Sequence, residues 1–501
     1  MALRDRPLEL HAGSSAPPPR DPEGESQIGE RLLRRSDAAG EARLGDPPGP
    51  RGWPVVGVLP RIWRDPLRFF LEVALECGGV ARIGIGKFTL YLISSPDAIG
   101  YVFQGNPKNF WKGKGLAAAE RVLGQGLATS EGELWARQQR CIQPMLRPQK
   151  LSSYLPALHA LTRETLGAWA DKAERGEAFD VAEEMRRLTL HQVCRLLLGA
   201  NVAASEIAAI GQAVQDANEE INRSAWTLFP LLSKLPTPRN RRIRQSLAAL
   251  DAIVERRIRE RRAERRSGED LLDQLIDARD APSGDAMSDR QIRDELVTFF
   301  VAGHDTPANA LAWTFHLLAE HPEWSTRVAA EAAGVLGDRE PTLEDLDQLD
   351  VTERVLKESL RLFPPAWVIV RTAHADDVLD GFAVPAGAPL LLSQYVVHRH
   401  PSYWDNPETF DPDRWTPERS VSRHRFAYFP FGGGSRFCTG HGLAMVLGKL
   451  IVACAARGYC WRSAKQRRIR PRALTTLLPR GGVWIRAESR AIAPNRYSRD
   501  R

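Results

Sequence analysis

The chain reads as mainly α-helical with small β-sheets, and three patterns point that way. Apolar residues recur at helical spacing through 131–145, 151–175, 180–199, 203–222, 241–266 and 288–336. A further helix ends before Phe363-Pro364-Pro365, where proline stops it. Strand-like runs are few and short. Val80 to Ile85 and Phe88 to Ser94 read as a hairpin turning at Gly86-Lys87, with further strands near 386–392 and 475–486. From Pro50 onward the apolar periodicity is nearly continuous. A length of 501 residues alone suggests about three domains, but no internal stretch reads as a linker, so one large folded region is expected over 47–490.

The ends differ from this body. Residues 1–46 hold Pro17-Pro18-Pro19, scattered glycine and serine, and mixed charge, with little to form a core. A disordered tail is expected there, and a C-terminal tail over 491–501. Acids at Asp5, Glu9, Asp21, Glu23, Glu25 and Glu30 argue against a transit peptide. No charged n-region precedes an apolar core, and no run approaches 18 apolar residues, so neither a signal peptide nor a membrane anchor is expected. The six cysteines show no CxxC pairing, which suits free thiols in a reducing, cytoplasmic setting.

The net charge is +7, with 59 Arg against 10 Lys. The densest basic run, Arg239 to Arg266, is mixed with Glu and carries Leu247, Leu250, Ile253 and Ile258 at helical spacing. It reads as a solvated helix face, and no nucleic-acid module is visible. Ser288 followed by Gln291 forms a capping box ahead of the longest apolar run.

Chemistry concentrates at Phe431-Gly-Gly-Gly-Ser-Arg-Phe-Cys-Thr-Gly440. One cysteine, Cys438, is held among glycines that let the backbone turn tightly and approach a flat ligand. Backbone N–H groups around it would stabilise a thiolate, and Arg436 adds positive charge. A haem iron takes one axial thiolate, whereas structural zinc takes about four ligands. The pattern F-x-x-G-x-R-x-C-x-G resembles the haem-ligand loop of the cytochrome P-450 family of haem-thiolate monooxygenases.

Further motifs follow the family's order. Ala302-Gly-His-Asp-Thr306 resembles its oxygen-activation motif A-G-x-(D/E)-T. Phe299, Ala302, Gly303 and Thr306 share one helical face, and small residues at 302 and 303 leave room for oxygen. Pro307 departs from the family, in which threonine is common there. Its missing N–H leaves the Gly303 carbonyl without a helical partner, so a kink over 303–307 is expected. Glu358, Arg361 and Arg414, the last within Phe410-Asp-Pro-Asp-Arg-Trp415, match E-x-x-R and F-x-P-x-R-(F/W). The resemblance implies a buried network supporting the haem loop.

The resemblance implies one P-450-type fold around a buried haem b, with Cys438 as the axial ligand to iron. It implies propionate donors at Arg436, Arg371 and a W-x-x-x-R helix. That helix is imperfect here: Trp135 is present, position 139 is Gln, and Arg140 comes one later. Leu447 stands where the family often has an acid. Phe299, Ala302, Val368, Ile369, Thr476 and Leu477 are the expected substrate pocket, and they are mostly apolar.

The implied function is monooxygenation. One atom of O₂ enters a C–H or C=C bond of a lipophilic small molecule, with Thr306 and Asp305 organising proton delivery. A terpenoid, polyketide or fatty-acyl compound of bacterial specialised metabolism fits the pocket. No redox module is visible in the chain, so a separate ferredoxin or flavodoxin with its reductase is expected. Arg137, Arg140, Arg147 and Lys150 would form its basic docking patch. The protein is expected to be a soluble cytoplasmic monomer. Two other classes stay open: a peroxide-driven or isomerising haem-thiolate enzyme, and a non-catalytic haem or ligand-binding protein.

Overall fold

The computed structural model describes residues 45–86, 88–225, 237–264, 270–337, 339–464 and 469–490. The tail expected over 1–46 lies outside the described residues as far as position 44, and so does the one over 491–501.

Ten helices of at least ten residues are present among the described residues. They are α1 (Pro66–Cys77), α2 (Gly132–Ile142), α3 (Pro148–Glu174), α4 (Val181–Leu198), α5 (Ala204–Ala225), α6 (Pro238–Glu264), α7 (Asp289–Glu320), α8 (Pro322–Leu336), α9 (Asp350–Leu362) and α10 (His441–Gly458). Local chemistry sets their ends. Asp65 caps α1 by accepting from Arg68 N, and Asp180 caps α4 by accepting from Ala182 N. At α7 the Ser288–Gln291 capping box is formed in both directions. The run expected as one helix over 288–336 breaks at His321. Proline at 322 disfavours helical geometry in the residue before it, and His321 sits at φ −127°, ψ 73°. Pro322 then opens α8, where a missing N–H costs nothing.

The sheets are small. Strands β1 (Val80–Ile85), β2 (Phe88–Ile93), β3 (Phe110–Trp111), β4 (Ala178–Asp180), β5 (Ile369–Ala373), β6 (Asp377–Leu379), β7 (Phe382–Val384), β8 (Pro389–Leu392), β9 (Tyr459–Ser463), β10 (Pro471–Ala473), β11 (Leu477–Pro479) and β12 (Trp484–Ser489) form four sheets. The largest has the order β1-β2-β8-β5-β3, with β2 and β8 parallel in the register Tyr91 to Leu390. The stretch expected near 475–486 divides between two sheets. β11 pairs with β10, and β12 lies between β4 and β9. Gly481 and Gly482, at φ 84° and 77°, turn the chain between them.

Helix α7 runs through the core and packs against α4, α6, α9 and α10. Leu296, Val297, Phe300, Trp313 and Phe315 on it are fully buried. Each such side chain contributes about 1.5–3 kcal/mol on leaving water. Helix α10 is long and apolar enough to cross a membrane, but it is mostly buried and packs against α3, α7, α8 and α9. Leu447 lies in that core, so its apolar character suits its place.

The basic run on α6 is paired, not merely solvated. Arg242 meets Asp216 and Glu219, Arg256 and Arg257 meet Glu206, and Arg261 meets Asp270 and Asp273. Leu250, Val254 and Ile258 form its buried stripe. Arg265 and Arg266 lie outside the described residues.

Candidate functional site

The cysteine loop is shaped by contact as much as by backbone freedom. Gly432 and Gly434 have φ of 75° and 63°, where other residues are strained. A Cβ on Gly434 would lie 1.9 Å from the Phe103 carbonyl oxygen, and one on Gly433 would lie 2.6 Å from the Phe426 ring. The loop therefore presses against Phe103 and Phe426, and larger residues do not fit. Cys438 N donates to Phe431 O at 3.0 Å, closing the turn.

Cys438 is exposed, yet the protein around it pushes its thiol pKa up by desolvation. Both hold when the sulfur faces an interior cavity. The backbone N–H groups of Gly440 and His441 pull the other way and favour thiolate. Ala302 is likewise exposed in the middle of α7, whose neighbours Val301 and His304 are buried. Ile369 Cδ1 would lie 3.3 Å from a Cβ on Gly432, so β5 borders the same loop.

On α7, Thr306 Oγ1 donates to Ala302 O at 2.6 Å. The helix continues unbroken past Pro307 to Glu320. Gly303 also lets α7 approach α4 closely. A Cβ there would lie 3.3 Å from Val193 of α4. Asp305 accepts from Asn218 Nδ2 of α5 and lies 3.6 Å from His304 Nε2. Burial raises the Asp305 pKa, opposed by Arg186 and the Asn218 bond. His304 meets Thr189 Oγ1 at 3.1 Å through Nδ1, and burial pushes its pKa down to about 4.

Beside the loop lies an excess of buried positive charge. The Arg436 guanidinium stacks 3.4 Å over the Trp135 ring and pairs with Glu131. Arg371 is buried, and desolvation lowers its pKa to about 10. Lys112 was missed in the sequence, because nothing in its local spacing marks it. It is buried and donates to Leu127 O at 2.8 Å and Ser130 O at 3.1 Å. Burial, then Arg436, brings its pKa down to about 7. Glu131, also missed, accepts from Lys112 N at 2.6 Å. Three cations thus gather around Glu131, and the second carboxylate facing Lys112, Glu295, is itself desolvated, with its pKa pushed up to about 8. Buried charge of this kind calls for further anions.

Arg140 is not brought to this cluster. It is held by Asp280 at 2.7 Å and Glu133 at 3.2 Å, because its position on α2 turns it away from Trp135. Gln139 instead donates to Ser435 O at 3.2 Å and seats α2 on the loop. Arg137 is also engaged, donating to Ala286 O at 2.9 Å. Of the expected basic patch, Arg140, Arg147 and Lys150 are exposed, and Arg140 is the one among them engaged by carboxylates.

The expected network is assembled and buried. Glu358 and Arg361 pair at 2.8 Å, and Arg414 Nε reaches Glu358 at 3.3 Å. Glu358 also accepts from Asp411 N and Trp415 Nε1. Arg361 Nη1 donates to the carbonyl of His398, whose Nε2 accepts from Phe429 N at 3.0 Å. Phe429 O in turn accepts from Gly432 N, so the chain of bonds reaches the cysteine loop.

The pocket expectation needs one correction. Phe299, Val368 and Ile369 are partly exposed, as lining residues should be. Leu477 is fully buried against the core around Trp367, and Thr476 is buried with its hydroxyl bonded to Asn309. Strand pairing with Ala473 of β10 fixes Leu477 inside the fold, and the Asn309 bond fixes Thr476 just before it.

Haem meets both demands of this site, since its iron takes a single thiolate and its two propionates answer the surplus cations. The fold and site are those of a haem-thiolate oxidoreductase. The chain belongs to the cytochrome P-450 family, whose model matches residues 47–483. It is 36% identical over 428 residues to cyclooctat-9-en-7-ol 5-monooxygenase of Streptomyces melanosporofaciens, covering 85% of this chain and 90% of that protein. Pentalenene oxygenase of Streptomyces avermitilis is 32% identical over 429 residues, covering 85% and 94%. Among solved structures, the cytochrome P450DA heme domain aligns with a TM-score of 0.79 at 26% identity, covering 89% of this chain and 98% of that one. The protein is a monooxygenase of this family, and its cofactor is haem with an axial cysteine thiolate.

Proposed function

We propose that the enzyme oxygenates a cyclic terpenoid in bacterial specialised metabolism, with Cys438 as the ligand. The observation that carries the site assignment is Cys438 itself, deep in the protein yet open to a cavity, with two backbone N–H groups turned toward its sulfur. The terpenoid reading rests on the names of the two Streptomyces relatives and on the apolar lining at Phe299, Val368 and Ile369.

When bound, haem supplies the redox chemistry that splits O₂ and inserts one atom into the substrate. The residues of the chain prepare that chemistry. Cys438 is held as a thiolate donor by its glycine loop. Lys112, Arg371 and Arg436 are the proposed propionate partners, with Trp135 supporting Arg436. Ala302 keeps a space open on α7. The apolar wall excludes water and binds a lipophilic substrate. Thr306 holds and passes a proton at Oγ1, and Asp305 is the nearest titratable group in sequence.

Electrons come from a separate ferredoxin or flavodoxin with its reductase, docking on the face where α2 meets the cysteine loop. The bacterial relatives support a soluble cytoplasmic enzyme. The test supplies ¹⁸O₂, reductant and a bacterial ferredoxin pair with cyclic diterpene and sesquiterpene alcohols and hydrocarbons. Product carrying one ¹⁸O atom is expected, together with a substrate-induced shift of the Soret band. Turnover with peroxide alone, and none with reductant, would refute the monooxygenase cycle.

A further inference from the structure

We propose that Asn218 is a positioning residue for Asp305, making the proton path depend on how α5 is seated over α7. The Asn218 side chain donates to Asp305 Oδ2, and its backbone carbonyl accepts from Thr475 Oγ1 at 3.2 Å. Thr475 lies in the turn between β10 and β11. The next residue, Thr476, accepts from Asn309 Nδ2 of α7 at 3.1 Å. One asparagine therefore joins α5, α7 and that turn.

Ion pairs of α5 run to α6, through Glu206 to Arg256 and Arg257 and through Asp216 and Glu219 to Arg242. The two helices form one tied layer. Asn218 is the point at which this layer holds a carboxylate of α7.

The groups facing Asp305 come from three elements. His304 on α7 is 3.6 Å away, Arg186 acts from α4, and Asn218 donates from α5. His304, with its pKa near 4, is neutral at pH 7 and adds no charge. Burial favours the protonated carboxyl, while Arg186 and the Asn218 amide favour the carboxylate. A seated α5 thus favours the carboxylate against its burial and fixes it in direction. Losing the Asn218 amide while α5 stays in place removes a donor, frees the rotamer and raises the pKa; lifting α5 also admits water, which opposes that rise. This rests on the role proposed above for Asp305.

The test uses full-length, haem-loaded protein carrying Asn218→Ala, Asn218→Asp, Asn218→Gln or Asp305→Ala. Product formed per reductant consumed is measured against pH. The midpoint should move up by about one pH unit in Asn218→Ala, where a donor to the carboxylate is lost. It should move further in Asn218→Asp, which sets two carboxylates together, and return toward wild type in Asn218→Gln, which keeps a donor. Amide hydrogen exchange over 204–225 is read without turnover. It should quicken by about fivefold in both Asn218→Ala and Asp305→Ala, since each loses the same bond. An unmoved midpoint, a change in KM alone, or unchanged exchange would overturn the proposal. A wild type that makes no product refutes the proposed function instead, and the exchange measurement still decides whether the Asn218 bond holds α5.

Discussion

Arg361 closes on Glu358 through two parallel bonds, Nε to Oε2 at 2.9 Å and Nη2 to Oε1 at 2.8 Å, and both side chains are fully buried. The guanidinium has three further bonds, to the carbonyls of His398, Pro407 and Thr409. All five of its N–H donors are therefore satisfied. A pair this deep is not surface decoration, and losing the arginine leaves Glu358 with only the 3.3 Å Arg414 contact to balance its charge.

Arg361→Ala is expected to destabilise the protein by about 3–5 kcal/mol, because the buried Glu358 loses its bidentate partner and keeps only the longer Arg414 contact, while the carbonyls of His398, Pro407 and Thr409 lose their donor. Haem content should fall with it, since the Arg361 contact to His398 leads on to Phe429 and the cysteine loop. Urea midpoints and the ratio of Soret to protein absorbance measure the two effects. Wild-type values for both would remove the network from support of the loop.

Gly434→Ala tests the loop without touching its sulfur. The added Cβ meets the Phe103 carbonyl oxygen, and φ is 63°. Backbone on both sides leaves no flexible side chain to give way. The thermal midpoint should fall and haem loading should drop, whereas Gly84→Ala, with open space at its Cβ, should load normally. Equal loading in the two variants would show that the loop tolerates displacement.

Lys112 gives a pH dependence with a definite sign. Its pKa is near 7 in the folded chain and about 10.4 unfolded. Between those values the unfolded state binds more protons, so the Lys112 contribution to the stability of haem-free protein rises from pH 7 toward 10, while Glu295, with its pKa near 8, works in the opposite direction up to about pH 9; the Lys112→Met comparison separates the two. The gain from Lys112 is on the order of 2 kcal/mol between pH 7 and pH 9. Propionates beside Lys112 would restore its charge and flatten the slope. Urea titrations of haem-free and haem-loaded protein, each compared with Lys112→Met, measure this. Identical slopes in wild type and Lys112→Met would exclude the lysine from the site.

Most of the helices, and the loop that matters, were legible in the sequence for physical reasons. The long helices carry strong apolar periodicity, and α7 announces its start at Ser288. The glycines of the cysteine loop mark tight backbone directly. The short strands were harder: β4 and β10 have three residues each, too few for a period. Arg140 misled because a one-residue offset on a helix turns a side chain by about 100°. Lys112 and Glu131 were invisible because they meet Arg371 and Arg436 only through the fold. Leu477 reads as pocket by chemistry and is core by strand pairing.

Cys438→Ala should remove the strongly red-shifted Soret band that thiolate-ligated haem shows on reduction with carbon monoxide. The prediction is specific to the sulfur, because the cation cluster and Trp135 remain. A variant that keeps the band would place the ligand at another cysteine; among the others, Cys141, Cys194 and Cys454 are buried.

Thr306 separates monooxygenation from the other classes. Its hydroxyl donates to Ala302 O at 2.6 Å, which leaves the oxygen lone pairs free to accept. Pro307 lacks an N–H, so the helix supplies no donor to the Gly303 carbonyl one turn back. The α7 backbone therefore offers both an open acceptor and a hydroxyl beside the exposed Ala302. Removing the hydroxyl leaves Cys438, Lys112, Arg371 and Arg436 untouched, so haem binding and the carbon monoxide spectrum should persist. Electron delivery should also persist, because the docking face proposed above involves α2 and the cysteine loop, and Thr306 belongs to neither. What should fail is the supply of protons in step with electrons. Thr306→Ala is expected to keep consuming reductant while releasing more hydrogen peroxide and less product. A several-fold fall in product per reductant is expected, less than the roughly 10²–10⁴-fold typical of a general acid–base group lost outright, because water can partly replace the hydroxyl. Thr306→Ser, which keeps the hydroxyl, should recover most of the ratio. An unchanged ratio in Thr306→Ala would move the proton path to ordered water or to a hydroxyl on the substrate.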